Sequence, residues 1–279
     1  MARIEALLAA KGVRATVYNA HRVSDLVALA RKAVAECPGL LVAAGGDGTV
    51  NAIASVVVES DSVLGVLPMG TFNNFARDLG LPLDAESALD TLLEGRVVQV
   101  DVGEVNGRIF LNNSSLGLYP EIVANRLWRQ RLGMRKWPAF ALAAFSTLRR
   151  FPLLDVQLGA SDAAVVGQTP LVFVGNNAYQ MEGPSIGRRQ RLDTGRLSLF
   201  TSHATRRSEL LQLTVGMLLR RIRSEQVLDL TLVAEVWIHT RRRKVRVATD
   251  GEVTELSGPL HYRSRAGALR VVAPRLDPA

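Results

Sequence analysis

The sequence is poor in cysteine and histidine and has no long apolar run. Its one cysteine, Cys37, excludes an internal disulfide framework and suits a reducing compartment. The longest nearly apolar stretch, Trp137 to Leu148, is too short to span a bilayer, and the first residues do not resemble a signal peptide. The histidines are scattered without metal-ligand spacing. These absences predict a soluble, cytoplasmic protein.

The charge is strongly positive. The net charge is +8, the isoelectric point is near 10.3, and 30 of the 34 basic residues are arginine. This balance favours an anionic partner, such as a phosphate ligand, nucleic acid or an anionic membrane, although an arginine-rich genome would produce the same bias. No nucleic-acid-binding motif is present, so we expect no nucleic-acid partner.

Residues 1–96 alternate between helical and strand patterns. Apolar strands that alternate with helices predict a parallel sheet covered on both faces, which makes this an α/β domain. The predicted helices are Ile4–Ala10, Val23–Glu36, Val50–Val58, Phe72–Asp78 and Ala85–Glu94 (capped by Asp84), and the strands are Ala15–Tyr18, Leu40–Ala44 and Val63–Leu67.

Residues 97–279 have the pattern of a second, β-rich domain. Asn106-Gly107 is a strong signal for a tight hairpin. The predicted strands are Val97–Glu104, Arg108–Asn113, Leu153–Leu158, Leu171–Gly175, Leu197–Ser202, Leu228–His239, Lys244–Thr249 and Leu269–Val272, with helical regions at Glu121–Arg149 and Ser208–Arg223.

A glycine-rich turn, Gly45-Gly46-Asp47-Gly48-Thr49, follows the apolar strand Leu40–Ala44 and opens a helix. Backbone N–H groups at a helix N-terminus attract phosphate, and glycine allows the backbone to approach a ligand closely. The same residues could form a plain tight turn. The spacing matches neither the dinucleotide-binding fingerprint nor the P-loop.

A second turn repeats this design. The strand Val63–Leu67 runs through Gly70 and Thr71 into a helix. Two such turns at adjacent strand ends would face one crevice, where open α/β sheets bind their ligands.

These segments resemble the diacylglycerol kinase catalytic family, which includes bacterial lipid kinases and sphingosine and ceramide kinases. NAD kinases share the first turn, but the second segment fits lipid kinases better. The resemblance implies an NAD-kinase-like nucleotide-binding domain followed by a β-sandwich-like domain, and it covers most of the chain. It rests on Gly45-Gly46-Asp47-Gly48-Thr49-Val50-Asn51, Gly70-Thr71-Phe72-Asn73-Asn74-Phe75-Ala76-Arg77, Asp101-Val102-Gly103, Phe110-Leu111-Asn112-Asn113 and Asp250-Gly251-Glu252.

The resemblance also implies roles for individual residues. Asp250 and Glu252 would be catalytic, one of them as the general base towards a lipid hydroxyl, with ATP and Mg²⁺ as cofactors. Taken alone, Asp250-Gly251 is better explained as a type I′ hairpin turn. The nucleotide-binding residues would be Gly45, Gly46, Asp47, Gly48, Thr49, Val50, Asn51, Gly70, Thr71 and Asn74.

Three departures from the family pattern stand out. Members normally begin with a strand that ends in Asn-Pro and a glycine-rich turn, whereas this chain resembles them only from the following helix. Asn74 stands where many members have aspartate. In Leu192-Asp193-Thr194-Gly195-Arg196-Leu197-Ser198, a segment linked to Mg²⁺ in some members, only Asp193 of the usual acids remains as a metal ligand.

The residues therefore predict an ATP-dependent lipid kinase, with a non-catalytic lipid- or nucleotide-binding protein as the alternative. Which lipid accepts the phosphate is left open, as is homodimer formation. The segment from Arg126 to Trp137 mixes basic and indole side chains and could rest on an anionic membrane as a peripheral contact, or it could be a solvated helix face.

If the Arg126 to Trp137 segment binds lipid, the double change Arg129→Glu and Arg131→Glu weakens binding to anionic vesicles, because it replaces attraction by repulsion. Added salt weakens the wild-type protein in the same way. Vesicle sedimentation measures both effects. Binding that responds to neither change excludes this segment as the membrane contact.

Overall fold

The chain forms two compact units in the computed structural model. The first contains Met1–Asp101 and the chain from Gly267 onward, and the second contains Val102–Ala266. The sequence-based division differs, because it assigned every residue after 96 to the second domain. The structure describes residues 2–20, 23–117, 120, 154–160, 163–179, 188–202 and 228–275. Among these residues, no helix is both long and apolar enough to cross a membrane.

The first unit is a layer of helices on a parallel sheet. Strands β1 and β2 run parallel, from the pair Leu40 and Val63 to the pair Gly45 and Pro68. Val271, near the end of the chain, lies opposite Leu64 and extends this parallel pairing. The elements are α1 Ala2–Ala10, α2 Val23–Glu36, β1 Leu40–Gly45, α3 Asp47–Val57, β2 Val63–Pro68, α4 Asn74–Asp78 and α5 Ala85–Glu94.

Apolar side chains on the predicted elements build the core of this unit. Ile4, Leu67, Leu89, Leu92 and Val272 form one buried cluster. Helix α5 begins as predicted, because the Asp84 side chain accepts a hydrogen bond of 2.9 Å from the Ser87 N–H.

Two predictions for the first unit were wrong. Residues 15–18 pair as a strand with none of the described residues, and Val17 is exposed. Strand β1 is not buried throughout: Leu40 is 49% exposed and Ala43 is fully buried. Alternate side chains of a strand point to opposite faces, and only one face of β1 is covered.

The second unit is built from antiparallel sheets. One sheet has the strand order β10-β9-β8-β5-β12-β13, and in the other β7 pairs with β6, β6 with β11 and β11 with β14. The strands are β3 Arg96–Val105, β4 Arg108–Phe110, β5 Asn113–Gly117, β6 Leu154–Ala160, β7 Ala163–Thr169, β8 Leu171–Asn176, β9 Leu197–Ser202, β10 Leu228–Val233, β11 Glu235–Thr240, β12 Lys244–Thr249, β13 Glu252–Ser257 and β14 Leu260–Ala273. Strands β3 and β14 begin or end in the first unit.

The hairpin predicted at Asn106-Gly107 is confirmed. Both residues have positive φ, 46° and 81°, and Val105 pairs with Arg108 across the turn. Such a two-residue turn matches the twist of the strands that it joins.

Two predicted strands are interrupted in the structure. The strand over Arg108–Asn113 breaks after Phe110, and the strand over Leu228–His239 breaks at Ala234. At each break the chain passes from one sheet to the other, which an apolar pattern does not reveal. Strands β7 and β13 were not predicted, and the predicted helical regions Glu121–Arg149 and Ser208–Arg223 lie outside the described residues.

The core of the second unit encloses one pair of hydroxyl groups. Tyr262 and Ser114 are fully buried, and their oxygens are 3.0 Å apart. Phe110 packs edge-on against the Tyr262 ring at a centroid distance of 6.2 Å. Burial raises the pKa of the Tyr262 hydroxyl far above its ordinary value, so the pair is neutral. A strand of each sheet contributes one hydroxyl, and one of the two donates a hydrogen bond to the other.

We expect Tyr262→Phe to lower the free energy of unfolding by about 1–3 kcal/mol, because it leaves the buried Ser114 hydroxyl without its partner. The double variant Tyr262→Phe with Ser114→Ala removes both polar atoms. Its loss in free energy of unfolding should be smaller than the sum of the losses of the two single variants. Urea unfolding of the four proteins measures this coupling. Strictly additive losses would show that the hydroxyls do not stabilise one another.

Candidate nucleotide site and acidic turn

The two glycine-rich turns lie side by side in the first unit. Because β1 and β2 are parallel neighbours, their carboxyl ends meet, and the Met69 N–H donates to the Gly45 carbonyl at 2.9 Å. A Cβ atom on Gly46 would be 3.1 Å from the Cα of Gly70. Glycine is required at these two positions because the turns pack directly against each other.

Two polar side chains fix the shape of these turns. Asp47 Oδ1 accepts a hydrogen bond of 3.3 Å from the Phe75 N–H, which ties the start of α3 to the start of α4. Asn73 has a left-handed backbone (φ 51°), and its side chain accepts from the Gly70 N–H and donates to the Gly70 carbonyl, both at 2.9 Å. Sequence reasoning missed the role of Asn73, although asparagine is among the residues that best tolerate this conformation.

The remaining predicted nucleotide residues differ in what they could offer a ligand. A Cβ on Gly48 would meet no protein atom within 4 Å. Asn51 Oδ1 is buried and has no hydrogen-bond partner among the residues that the structure describes. Thr71 and Asn74 are exposed. Val50 instead has a buried side chain, and its N–H donates to the Gly46 carbonyl.

The residues present therefore fit a phosphate-bearing ligand at the start of α3. The N-cap residue of α3 is Gly46, and no side chain caps this end of the helix. The first N–H groups of α3 therefore still attract an anion. Gly48 leaves space at that end.

Asp250 lies in the second unit, at a two-residue turn between β12 and β13. Asp250 and Gly251 both have positive φ, 45° and 87°, and Thr249 pairs with Glu252, as in a type I′ hairpin. Asp250 is half-buried, and its carboxylate accepts three backbone N–H groups, from Leu111 at 2.7 Å, Asn112 at 2.9 Å and Asn113 at 3.0 Å. Burial raises the pKa of this carboxyl, while the amide donors and the charge of Arg189 oppose the rise.

Glu252 differs from Asp250 in its surroundings. It is the first residue of β13 and is exposed. The two predicted catalytic residues, Asp250 and Glu252, thus lie on either side of Gly251 at the same turn. The Asp250 carboxylate binds backbone N–H groups, whereas Glu252 is exposed.

Arg189 is a central residue of the second unit that sequence reasoning missed. Two adjacent arginines such as Arg188 and Arg189 are usually solvated, but Arg189 is only 4% exposed. Its guanidinium donates to the Leu111 carbonyl at 2.6 Å and to Asn112 Oδ1 at 2.8 Å. Arg188 and the run Arg241 to Lys244 are exposed, and the Arg126 to Trp137 segment lies outside the described residues.

Asp193, the predicted metal ligand, is paired with Arg191. Arg191 donates to both of its oxygens, at 2.9 Å and 3.2 Å, and these bonds hold the pKa of Asp193 below its ordinary value. The Thr194 hydroxyl donates to Asn177 Oδ1 at 2.7 Å. Across the described ranges, no three His, Cys, Asp or Glu side chains are grouped so as to hold a metal ion. The described residues do not fit a protein-bound Mg²⁺ at this segment.

Comparison with known proteins shows a similarity to diacylglycerol kinases. The model of the diacylglycerol kinase catalytic domain matches residues 1–105. A diacylglycerol kinase of Staphylococcus saprophyticus is 30% identical over 59% of this chain and 54% of its own length, and one of Staphylococcus aureus is 28% identical over 71% and 64%. The chain therefore spans between half and two thirds of the length of these curated relatives.

Two solved structures of diacylglycerol kinase-like proteins from Bacillus anthracis share the fold. One has a TM-score of 0.70 at 23% identity and covers 91% of this chain and 82% of its own. The other has a TM-score of 0.66 at 19% identity, with coverage of 96% and 88%. The fold is thus an N-terminal α/β unit with parallel strands and a C-terminal antiparallel β unit, as expected. Residues 1–105 of this chain thus match the diacylglycerol kinase catalytic domain.

Proposed function

We propose that this protein is an ATP-dependent lipid kinase that phosphorylates a hydroxyl of a lipid such as diacylglycerol. The observation that carries the proposal is the pair of glycine-rich turns fixed side by side at the carboxyl ends of β1 and β2. Open α/β sheets bind ligands at such ends, and the same residues lie within the family match. The names of the relatives support the lipid acceptor.

The first unit supplies the nucleotide contacts in this proposal. The first N–H groups of α3 attract phosphate, Gly48 gives it room, and Asn51 Oδ1 accepts a hydrogen bond from the nucleotide. Mg²⁺ arrives with ATP and neutralises phosphate charge.

Glu252 is the general base in this proposal, and Asp250 is the residue that shapes its turn. A base must reach the hydroxyl proton, and the exposed Glu252 carboxylate is accessible to a substrate. Both Asp250 oxygens are already occupied by backbone N–H groups.

Peripheral association with an anionic membrane is part of the same proposal. It is supported by the net charge of +8 and by the need of a lipid kinase to reach its acceptor. The alternative, a non-catalytic lipid- or nucleotide-binding protein, is supported by the occupied Asp193 carboxylate and by the lack of a metal-binding group in the described part of the chain.

Gly48→Ala should weaken Mg-ATP binding on the order of tenfold, a loss of about 1.4 kcal/mol, because the added methyl fills space that the ligand needs. The same change should stabilise the fold by up to about 1 kcal/mol, since alanine favours a helix more than glycine does. Isothermal titration and thermal unfolding measure the two effects.

Gly39→Ala is the matched control, because its Cβ also meets no protein atom within 4 Å but lies at the other end of β1. It should leave ATP affinity unchanged. Equal affinities of the two variants would place the phosphate elsewhere. Gly46 is unsuited to this test because a side chain there would strike Gly70.

Glu252→Gln should reduce phosphoryl transfer by roughly a hundredfold to ten-thousandfold while leaving ATP affinity and stability unchanged, because only the base is lost. Asp250→Asn should instead lower the free energy of unfolding by more than about 2 kcal/mol, since an amide NH₂ would face backbone N–H donors. Transfer of labelled γ-phosphate to a panel of lipids, run beside ATP titration and urea unfolding, separates the two roles.

Glu255→Gln, an exposed change on the same strand, is the control and should keep full activity. Wild-type transfer rates in Glu252→Gln would remove it from the mechanism. ATP binding without transfer to any lipid would favour the non-catalytic alternative.

A further inference from the structure

In the second unit, the segment from Leu111 to Asn113 is held through its backbone by polar partners on both sides. Leu111 and Asn112 are buried, and they connect β4 to β5. The three N–H groups of Leu111 to Asn113 bind the Asp250 carboxylate. The Asn113 carbonyl accepts from the Asp250 N–H, so Asp250 holds this segment with both its backbone and its side chain.

The other side of the segment is held by a cation. Arg189 donates from Nη1 to the Leu111 carbonyl at 2.6 Å and to the Asn176 carbonyl at 3.3 Å, and from Nη2 to Asn112 Oδ1 at 2.8 Å. The Tyr179 ring lies 5.6 Å from the guanidinium carbon, and its hydroxyl donates to the Asn112 carbonyl at 2.8 Å. The guanidinium therefore gathers two carbonyl oxygens and one amide oxygen inside the unit.

Carbonyl and amide oxygens are also the ligands that hard divalent cations use. A guanidinium can replace such an ion because it carries a permanent charge and five N–H donors in a fixed plane. Arg189 and Asp250 bind the same segment, Arg189 through its oxygens and Asp250 through its N–H groups, and the charge of Arg189, after the three backbone donors, opposes the rise in the pKa of Asp250.

The neighbouring segment, where the family resemblance implies Mg²⁺, offers no comparable ligand set. Arg191 donates a hydrogen bond to the Asp193 carboxylate, and the Thr194 and Ser198 hydroxyls donate to oxygens of Asn177. The acids that this chain lacks are replaced by hydroxyls satisfied within the protein.

We propose that Arg189 is the resident cation of the second unit, which holds the Leu111 to Asn113 segment and balances Asp250 without a metal ion of the protein's own. In the proposed function, Mg²⁺ then enters with ATP. The structural part of this inference is independent of the proposed kinase function, and its test measures no activity.

The experiment is thermal unfolding of the nucleotide-free full chain after EDTA treatment, with and without millimolar MgCl₂. The wild-type Tm should not change with MgCl₂. Arg189→Met should lower Tm by roughly 6–20 °C, because it leaves Asp250 and three oxygens without their cation. Arg189→Lys should lower Tm by less than Arg189→Met does, since lysine keeps the charge but not the planar set of donors.

Arg188→Met is the matched control, because Arg188 precedes Arg189 in the chain but is exposed, and it should leave Tm unchanged. A rise in the wild-type Tm on adding MgCl₂ overturns the proposal, as does an Arg189→Met protein that is as stable as Arg188→Met. If Arg189→Met fails to fold, Arg189→Lys and the wild-type response to MgCl₂ still decide the question.

Discussion

The second unit depends on the contact between the Asp250 carboxylate and three consecutive backbone N–H groups. Leu111 to Asn113 mark the point at which the chain leaves one sheet and enters the other, so the regular strand pairing stops there. Buried N–H groups without partners would each cost about 1–3 kcal/mol. One carboxylate satisfies all three and joins the start of β5 to the turn between β12 and β13.

This contact also explains why two acids one residue apart have different environments. The turn requires positive φ at Asp250 and Gly251, and aspartate is among the residues that accept this conformation. The next side chain, Glu252, then points out of the network and stays exposed. The backbone contacts of Asp250 hold the turn in place, which in our proposal fixes the position of the catalytic carboxylate.

The first unit solves a different problem with glycine. Its two strand ends approach so closely that Gly46 and Gly70 leave no room for side chains, whereas Gly48 faces open space. Packing within the protein therefore explains Gly46 and Gly70, whereas in our proposal a bound ligand explains Gly48. Asp47 and Asn73 hold the two turns in register, so that the start of α3 has a fixed geometry before any ligand binds.

The sequence by itself determined the fold class, the order of most elements, the hairpin at Asn106-Gly107 and the resemblance to diacylglycerol kinases, because these depend on local periodicity, turn chemistry and short motifs. It also named Asp250 and Glu252 but could not separate their roles, since the Asp250 donors lie about 140 residues away in the chain. Only the tertiary structure decided that Arg189 is buried, that Asp193 is paired and that β4 and β5 are separate strands. Burial and pairing arise from contacts between residues that are distant in the sequence. The sequence therefore does not distinguish Arg188 from Arg189, although only Arg189 is buried in the fold.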